Sequence, residues 1–267
     1  MSTPWRLPDV KDVGYGAPLR WLADGWADLW KAPGPCLSYG ALIAALLAAL
    51  AYALYASGLA IGIVILTLGL VLIAPILAMG PYEAGRRLEA GERPRLSQIF
   101  IVRSALRQDA VYLGLALFLV FSFWIQAAQI VYGLSTYQLH ATLPEFARFA
   151  LTTGDGGRML LVGGVIGGAI AFVAYTLVVV SAPMLLERRF DVFMATVTSV
   201  RIVLRNPGPM LLWAVIVATL VLASAATGFV ALIVVFPWLG LASWRAYRGL
   251  VAAETGGPPG PGSTLRP

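Results

Sequence analysis

The sequence is short of charge. Only 12% of its 267 residues are Asp, Glu, Lys or Arg, about half the share in an ordinary soluble domain. The deficit is uneven: no charged residue falls in 37–79, 110–139, 159–186 or 207–244. Blocks of that length and apolarity argue against a soluble globule. Cys36 is the single cysteine, so an intrachain disulfide is impossible. His140 is the single histidine, and haem or transition metals usually need His, Cys or Met. Met79, Met159, Met184, Met194 and Met210 sit near the ends of apolar runs, as lipid-facing or packing residues do. No metal site and no cofactor is expected. No acid or base lies in the middle of an apolar run, so the intramembrane charges that mark proton relays and ion paths are missing.

What the chain does have is apolar length. A bilayer core needs roughly 20 apolar residues per helix. The first and last blocks suffice for two passes each and the middle two for one each. The expected fold is all-α and integral to the membrane, with six spans near 37–56, 59–80, 110–133, 159–181, 209–226 and 229–245. No small-residue cleavage site follows the first run, so the first span is expected to be retained. Lys and Arg set orientation. Of 19 cations, 17 fall in the segments that six spans put on the side of the termini, and only Arg148 and Arg158 fall opposite. Both termini are therefore expected in the cytoplasm. The net charge of +6 serves as this orientation signal and as a contact for anionic headgroups. It calls for no nucleic acid.

Two corners share one spelling. "KAPGPCLSYG" occupies 31–40 and "RNPGPMLLWA" occupies 205–214. Before the first, Leu19, Leu22, Trp26, Leu29 and Trp30 recur at helical spacing, with Arg20, Asp24, Asp28 and Lys31 mostly opposite. Such a helix lies in the membrane interface. Pro33 ends it, Gly34 allows a sharp corner, and Pro35 suits the first turn of the next helix. Before Pro207, Gly208 and Pro209, the residues Phe193, Val197, Val200 and Leu204 form the matching face. The spans end alike too. Tyr82 and Arg86 follow Pro75 by seven and eleven residues, as Trp244 and Arg248 follow Pro237. A weaker copy has Leu96, Ile99, Phe100, Arg103 and Leu106 as its amphipathic foot and ends "SAPMLLERR". The expectation is one membrane domain, 1–253, of three repeats at about 18–88, 95–189 and 190–250. Each is a cytoplasmic interfacial helix followed by a transmembrane hairpin. The first and third hairpins turn at Ser57-Gly58 and Thr227-Gly228. The middle one carries the external loop, 134–158. There Thr142 caps a short helix with Pro144 in its first turn, Leu143, Phe146, Phe149 and Ala150 pack onto the outer surface, and "TTGDGG" is a mobile turn. The Gly/Pro-rich tail, 254–267, is expected to be disordered.

Few residues offer chemistry. Gln126 and Gln129 are the most polar pair within a span and suit interhelical hydrogen bonds or a substrate contact. Gly163–Gly167 and Gly164–Gly168 form two overlapping GxxxG patterns that let helix backbones approach. They are not a nucleotide loop, because they lie inside an apolar run without a following Lys. Glu83, Glu89, Glu92, Glu187 and Asp191 sit beside arginines. They read either as surface ion pairs and headgroup contacts or, through Arg86, Arg87, Arg188, Arg189 and Arg248, as an arginine-lined route for an anion.

"GWADLWKAPGPCLSYG", "APILAMGPYEAGRRLEAGERP", "SAPMLLERRFDVFMATVTSVRIVLRNPGPMLLW" and "VVFPWLGLASWRAYRGLV" resemble an uncharacterised family of bacterial integral membrane proteins across nearly the whole membrane part. The resemblance implies the bacterial inner membrane and little chemistry. Some members carry the label of cytochrome c oxidase proteins, which implies association with respiratory complexes. Where members of that family often have histidines in the closing motif, this chain has Leu241 and Arg245. The leading expectation is a non-enzymatic accessory or assembly partner of a larger membrane complex, a respiratory one among the candidates, with another membrane protein or a second copy of this chain as its partner in the lipid bilayer. The competitors are a small anion or lipid transporter or channel, and an enzyme that uses Glu83 or Glu187.

Overall fold

A computed structural model describes residues 7–59, 61–102, 108–136, 142–187 and 191–252. Their regular structure is helical. In chain order the helices are α1 (Ala17–Lys31), α2 (Pro33–Ala56), α3 (Ile61–Leu77), α4 (Met79–Glu89), α5 (Leu96–Phe100), α6 (Gln108–Ser135), α7 (Leu143–Thr152), α8 (Gly154–Val178), α9 (Ser181–Glu187), α10 (Val192–Arg205), α11 (Pro207–Ala225) and α12 (Leu232–Leu250).

Four helical stretches are long and apolar enough to cross a membrane: α2, α6, α8 continued through α9, and α11. The second expected span is broken. It stops at Leu77, bends by 41° at Ala78 and continues as α4, and the bent pair qualifies only if taken as one span. Pro75 near the end of α3 removes one helical hydrogen bond and accounts for the break. The sixth expected span, α12, does not qualify on its own. Its last third carries Arg245, Arg248 and two aromatic residues, and most of its length is buried within the protein.

α12 is the hub. α1, α2 and α4 each press a glycine against it. A Cβ on Gly25 would sit 2.6 Å from the Ala242 nitrogen, one on Gly85 2.8 Å from the Trp244 ring, and one on Gly40 would collide with the Ile233 carbonyl oxygen. These contacts hold helix axes closer than any larger side chain permits.

Both corners are made alike, two residues before the glycines expected to form them. The helix stops at Ala32 (φ −142°, ψ 57°) and at Asn206 (φ −124°, ψ 53°). Pro33 and Pro207 then begin α2 and α11. Gly34 lies inside the first turn of α2, in open space, and is not the corner. A proline at the first helical position loses nothing, because that N–H has no intrahelical partner.

The interfacial faces need revision. In α1, Trp21, Gly25, Asp28 and Leu29 point inward, whereas Leu19, Trp26 and Trp30 are exposed. In α10, Met194, Ala195, Thr198, Ser199 and Ile202 pack inward, whereas Phe193 and Leu204 are exposed. Each helix thus has an inner face of small and mixed residues and a largely exposed outer apolar stripe; in that of α1, Trp26 also packs edge-on against Trp238 of α12 at 5.1 Å. α5 is a single short turn with Ile99 buried; Arg103 and Leu106 lie outside the described residues.

The turns are as expected: Gly58 and Gly228 have positive φ, 72° and 60°. So is the cap of α7, where the Thr142 side chain accepts from the Glu145 N–H and the Glu145 carboxylate accepts from the Thr142 N–H. "TTGDGG" is not a loose turn. Thr153 caps α8, accepting from the Gly156 N–H at 3.0 Å, so Gly154, Asp155 and Gly156 form its first turn.

The termini meet. Val10 and Val251 form an antiparallel bridge, and the Lys11 N–H donates to the Leu250 carbonyl at 2.9 Å. Buried Asn206 accepts from the Val13 N–H at 2.8 Å and donates to the Lys11 carbonyl at 3.1 Å. Arg205 makes a two-pronged pair with Asp12 at 2.5 and 2.8 Å. One end of the molecule therefore carries both ends of the described chain, around Val10 and Val251, and the α10–α11 corner. The tail, 254–267, lies outside the described residues.

Candidate functional site

The charged residues collect at that same end. Glu83, on α4, is almost fully buried. Its carboxylate accepts from Arg86 Nε and Nη2 at 2.8 and 2.7 Å and from Arg87 Nε at 2.6 Å. Arg87 also donates to Glu92 at 2.8 Å. Glu89 accepts from the Trp244 indole N–H at 3.0 Å and from Arg248 Nε at 2.9 Å. Arg248 Nη1 donates to Glu187 at 3.0 Å, and the Tyr247 hydroxyl donates to the other Glu187 oxygen. Arg248 thus joins α4, α9 and α12. Glu83, Arg86, Arg87, Glu89, Glu187 and Arg248 line a cavity of about 1000 Å³, with Ser97, Gln98 and Ile101 on its α5 side.

The cavity's arginines, Arg86, Arg87 and Arg248, face an equal number of carboxylates, Glu83, Glu89 and Glu187. The described lining is therefore electrically balanced. Arg188 and Arg189, the other expected anion contacts, lie outside the described residues, as does His140. Among the described residues no three His, Cys, Asp or Glu side chains come together as metal ligands would.

A second ion pair was not legible as one. Asp28, expected on the polar outer face of α1, is fully buried. Arg245 Nε donates to it at 2.6 Å and Lys31 Nζ at 2.7 Å. Burial pushes its carboxyl up, but the hydrogen bonds and charges of Arg245 and Lys31 outweigh that and hold it below its ordinary value of 3.8. Nothing local in the sequence marks Asp28 as buried, because its main partner is 217 residues away.

Within the apolar layer the structure separates the two glycine patterns. Gly163 and Gly167 face α6, where added Cβ atoms would meet Val131 at 3.5 Å and Trp124 at 3.2 Å. At Gly164 and Gly168 an added Cβ would meet nothing within 4 Å. All four glycines border a cleft walled by α3, α6, α8 and α11. Its lobe away from the termini has a volume of about 600 Å³ and the nearer lobe about 340 Å³. Val71, Leu72, Gly168, Ala171 and Ala218 line both. The Tyr175 hydroxyl on α8 donates to the Met210 carbonyl on α11 at 2.8 Å and straps those helices together near the terminal end. Gln126 and Gln129 are exposed on α6 and make no hydrogen bond to another described residue. The expected bond between helices of this chain is absent among the described residues: both amides are exposed, Gln129 at the edge of that cleft.

Residues 63–187 match the family model described as "Predicted integral membrane protein (DUF2189)". No curated protein and no solved structure matches the chain.

Proposed function

With an uncharacterised family of integral membrane proteins as the premise, we propose that this chain is a non-enzymatic accessory or assembly partner of a larger membrane complex. The observation that carries this reading is the pair Gln126 and Gln129. They lie three residues apart on the outward face of α6, without a partner among the described residues. An amide facing hydrocarbon is costly unless a neighbouring helix supplies its hydrogen bonds, which are worth about 1 kcal/mol each. The balanced cavity points the same way. Glu83 and Glu187 are engaged by arginines and a tyrosine, which leaves neither as a free base, and an anion route would need an excess of positive charge. A respiratory complex is one such partner, suggested by family labels alone.

We place six passes in the bacterial inner membrane, arranged as three hairpins with both termini in the cytoplasm. The Val10–Val251 bridge supports an even number of passes, and α12 would be a sixth pass shielded by α1, α2 and α4. The exposed stripes of α1 and α10 would then lie on the cytoplasmic leaflet. Lipid transport is the second reading, favoured by the cleft along α3; fluorescent-lipid exchange by purified protein in vesicles tests it.

The test of the partner reading is purification in mild detergent at native expression, with mass spectrometry and a visible absorption spectrum. A stoichiometric membrane partner that is lost from the Gln126→Leu, Gln129→Leu variant is the expected result. A colourless species containing only this chain, unchanged in the variant, overturns it.

A further inference from the structure

We propose that the charged cavity between α4, α5, α9 and α12 binds a phosphate ester that carries a primary ammonium group, the chemistry shared by free phosphoethanolamine and the headgroup of phosphatidylethanolamine. The site does not depend on the partner reading, because none of its described groups lies on α6. Its volume, about 1000 Å³, is at the upper end of the range of small-molecule sites, about 300–1000 Å³. Three features of its lining select the ligand.

The first is a surplus of donors. A guanidinium carries hydrogens on Nε and on both Nη nitrogens. In Arg86, Arg87 and Arg248 the ion pairs occupy Nε and one Nη each. Arg86 Nη1, Arg87 Nη2 and Arg248 Nη2 have no hydrogen-bond partner among the described residues. Their placing is fixed in advance: buried Glu83 anchors the first two, and Glu89 with Glu187 anchors the third. The charge of Glu187 also reaches Arg86, so the α4 and α12 guanidiniums surround one space. Donors arriving from two helices suit the tetrahedral oxygens of a phosphate, whereas a planar carboxylate turns both oxygens to one fork. The second feature is balance. Three carboxylates offset the three guanidiniums, so a simple anion would bring unmatched negative charge beside Glu83, Glu89 and Glu187, whereas a zwitterion brings none in total. Its ammonium has an acceptor in Glu89. A carboxylate has about four lone-pair sites, and Glu89, partly exposed, gives one to Trp244 and one to Arg248. The third feature is a lack of rings. Quaternary ammonium groups are held by aromatic cages, and no aromatic side chain lines the cavity among the described residues. A primary ammonium, which donates hydrogen bonds to carboxylates, is the cation that fits.

The experiment uses the full-length chain in maltoside micelles and follows its melting temperature against added ligand, because a ligand bound only by the folded state raises it. Dihexanoyl phosphatidylethanolamine, phosphatidylcholine and phosphatidylglycerol, which differ only in headgroup, are titrated beside phosphoethanolamine and inorganic phosphate. The expected result is half-maximal stabilisation by phosphatidylethanolamine at a concentration about tenfold below that of either other lipid, the size of effect that one lost charge-assisted hydrogen bond produces. A matching shift with phosphoethanolamine makes the soluble ester sufficient, and a shift with the lipid alone makes the membrane the source; either upholds the site. Ser97→Trp fills the cavity from α5 and removes no ion pair, so it should abolish the shift and leave the melting temperature without ligand unchanged. Glu89→Gln still accepts from Trp244 but removes one negative charge, so phosphatidylglycerol should now bind more tightly than phosphatidylethanolamine. No shift with any ligand overturns the site. So do equal shifts with phosphatidylethanolamine and phosphatidylcholine, stronger binding of phosphatidylglycerol or inorganic phosphate to the unaltered chain, or an order of binding that both variants leave unchanged.

Discussion

Asp28 offers the sharpest test of how the terminal end is held together. Replacing it with alanine leaves the Arg245 guanidinium, 27% exposed, without its carboxylate. Removing one partner of a fully buried pair costs about 3–5 kcal/mol, and an exposed pair is worth about 0–1 kcal/mol. Asp28 is at the buried limit, Arg245 lies between, and Lys31, 57% exposed, is at the weak one. The expected loss is therefore about 2–3 kcal/mol, which for a chain of this size lowers the melting temperature by roughly 5–10 °C. Circular dichroism of the detergent-solubilised protein reads it. Because the penalty is an orphaned charge rather than a lost attraction, Asp28→Leu with Arg245→Leu should recover most of the loss. The pH dependence has a fixed sign. The folded carboxyl lies below its ordinary value of 3.8, so its contribution is complete above that value and disappears as pH falls through the folded one. Asp28 adds nothing to the slope between pH 7 and pH 5. An unchanged melting temperature in Asp28→Ala, or a double variant as unstable as the single one, would refute the clamp.

Gly40→Ala drives a methyl group into the Ile233 carbonyl and should cost about 1–3 kcal/mol; Gly114→Ala, in open space, should not, and equal effects in thermal unfolding would sink the close α2–α12 contact. Arg248→Ala removes the guanidinium that Glu89 and Glu187 share, so limited proteolysis should cut near both α4 and α9 faster, whereas faster cutting at one alone would show that Arg248 does not join them. Gly34→Ala should be tolerated or slightly stabilising, since the corner is at Ala32, and a loss of folded yield would return the corner to the glycine. Reporters fused to the N- and the C-terminus should be active on the same side of the membrane, and opposite sides would contradict the Val10–Val251 bridge.

The features legible in the sequence are those written in neighbouring residues. The apolar blocks gave helices, Gly58 and Gly228 take the left-handed conformation, and Thr142 with Glu145 forms the cap its spelling implies. The repeated Pro-Gly-Pro marks two corners with nearly equal dihedrals, although the bend falls on the preceding residue. What stayed hidden depends on partners far along the chain. Gly25, Gly40 and Gly85 carry no local signature, yet they seat three helices on α12, whereas at the conspicuous Gly164 and Gly168 an added Cβ would meet nothing within 4 Å. The acids and arginines were legible as neighbours, as in Glu83 with Arg87, but Arg248 reaches Glu89 and Glu187 across 159 and 61 residues. Periodicity likewise finds the apolar stripe of α1 but cannot say that the other face, with Asp28, is the one that packs.

The pairing of the first helix with the last has a consequence in time. α1 is finished about 200 residues before α12 is begun. At a synthesis rate of roughly 5–20 residues per second, that interval is on the order of 10–40 s. Throughout it Gly25 and Asp28 have no Ala242 or Arg245 to meet and Val10 has no Val251 to pair with, while Trp213 and the Asn206 corner arrive only near its end. The outward stripe of Leu19, Trp26 and Trp30 is available from the start and needs only a bilayer surface. A nascent chain with α1 parked on the membrane, its inner face unsatisfied until the final helix arrives, makes closure of the terminal end the last act of assembly, so a ribosome stalled before residue 232 would hold every apolar run but one in a body that cannot yet lock.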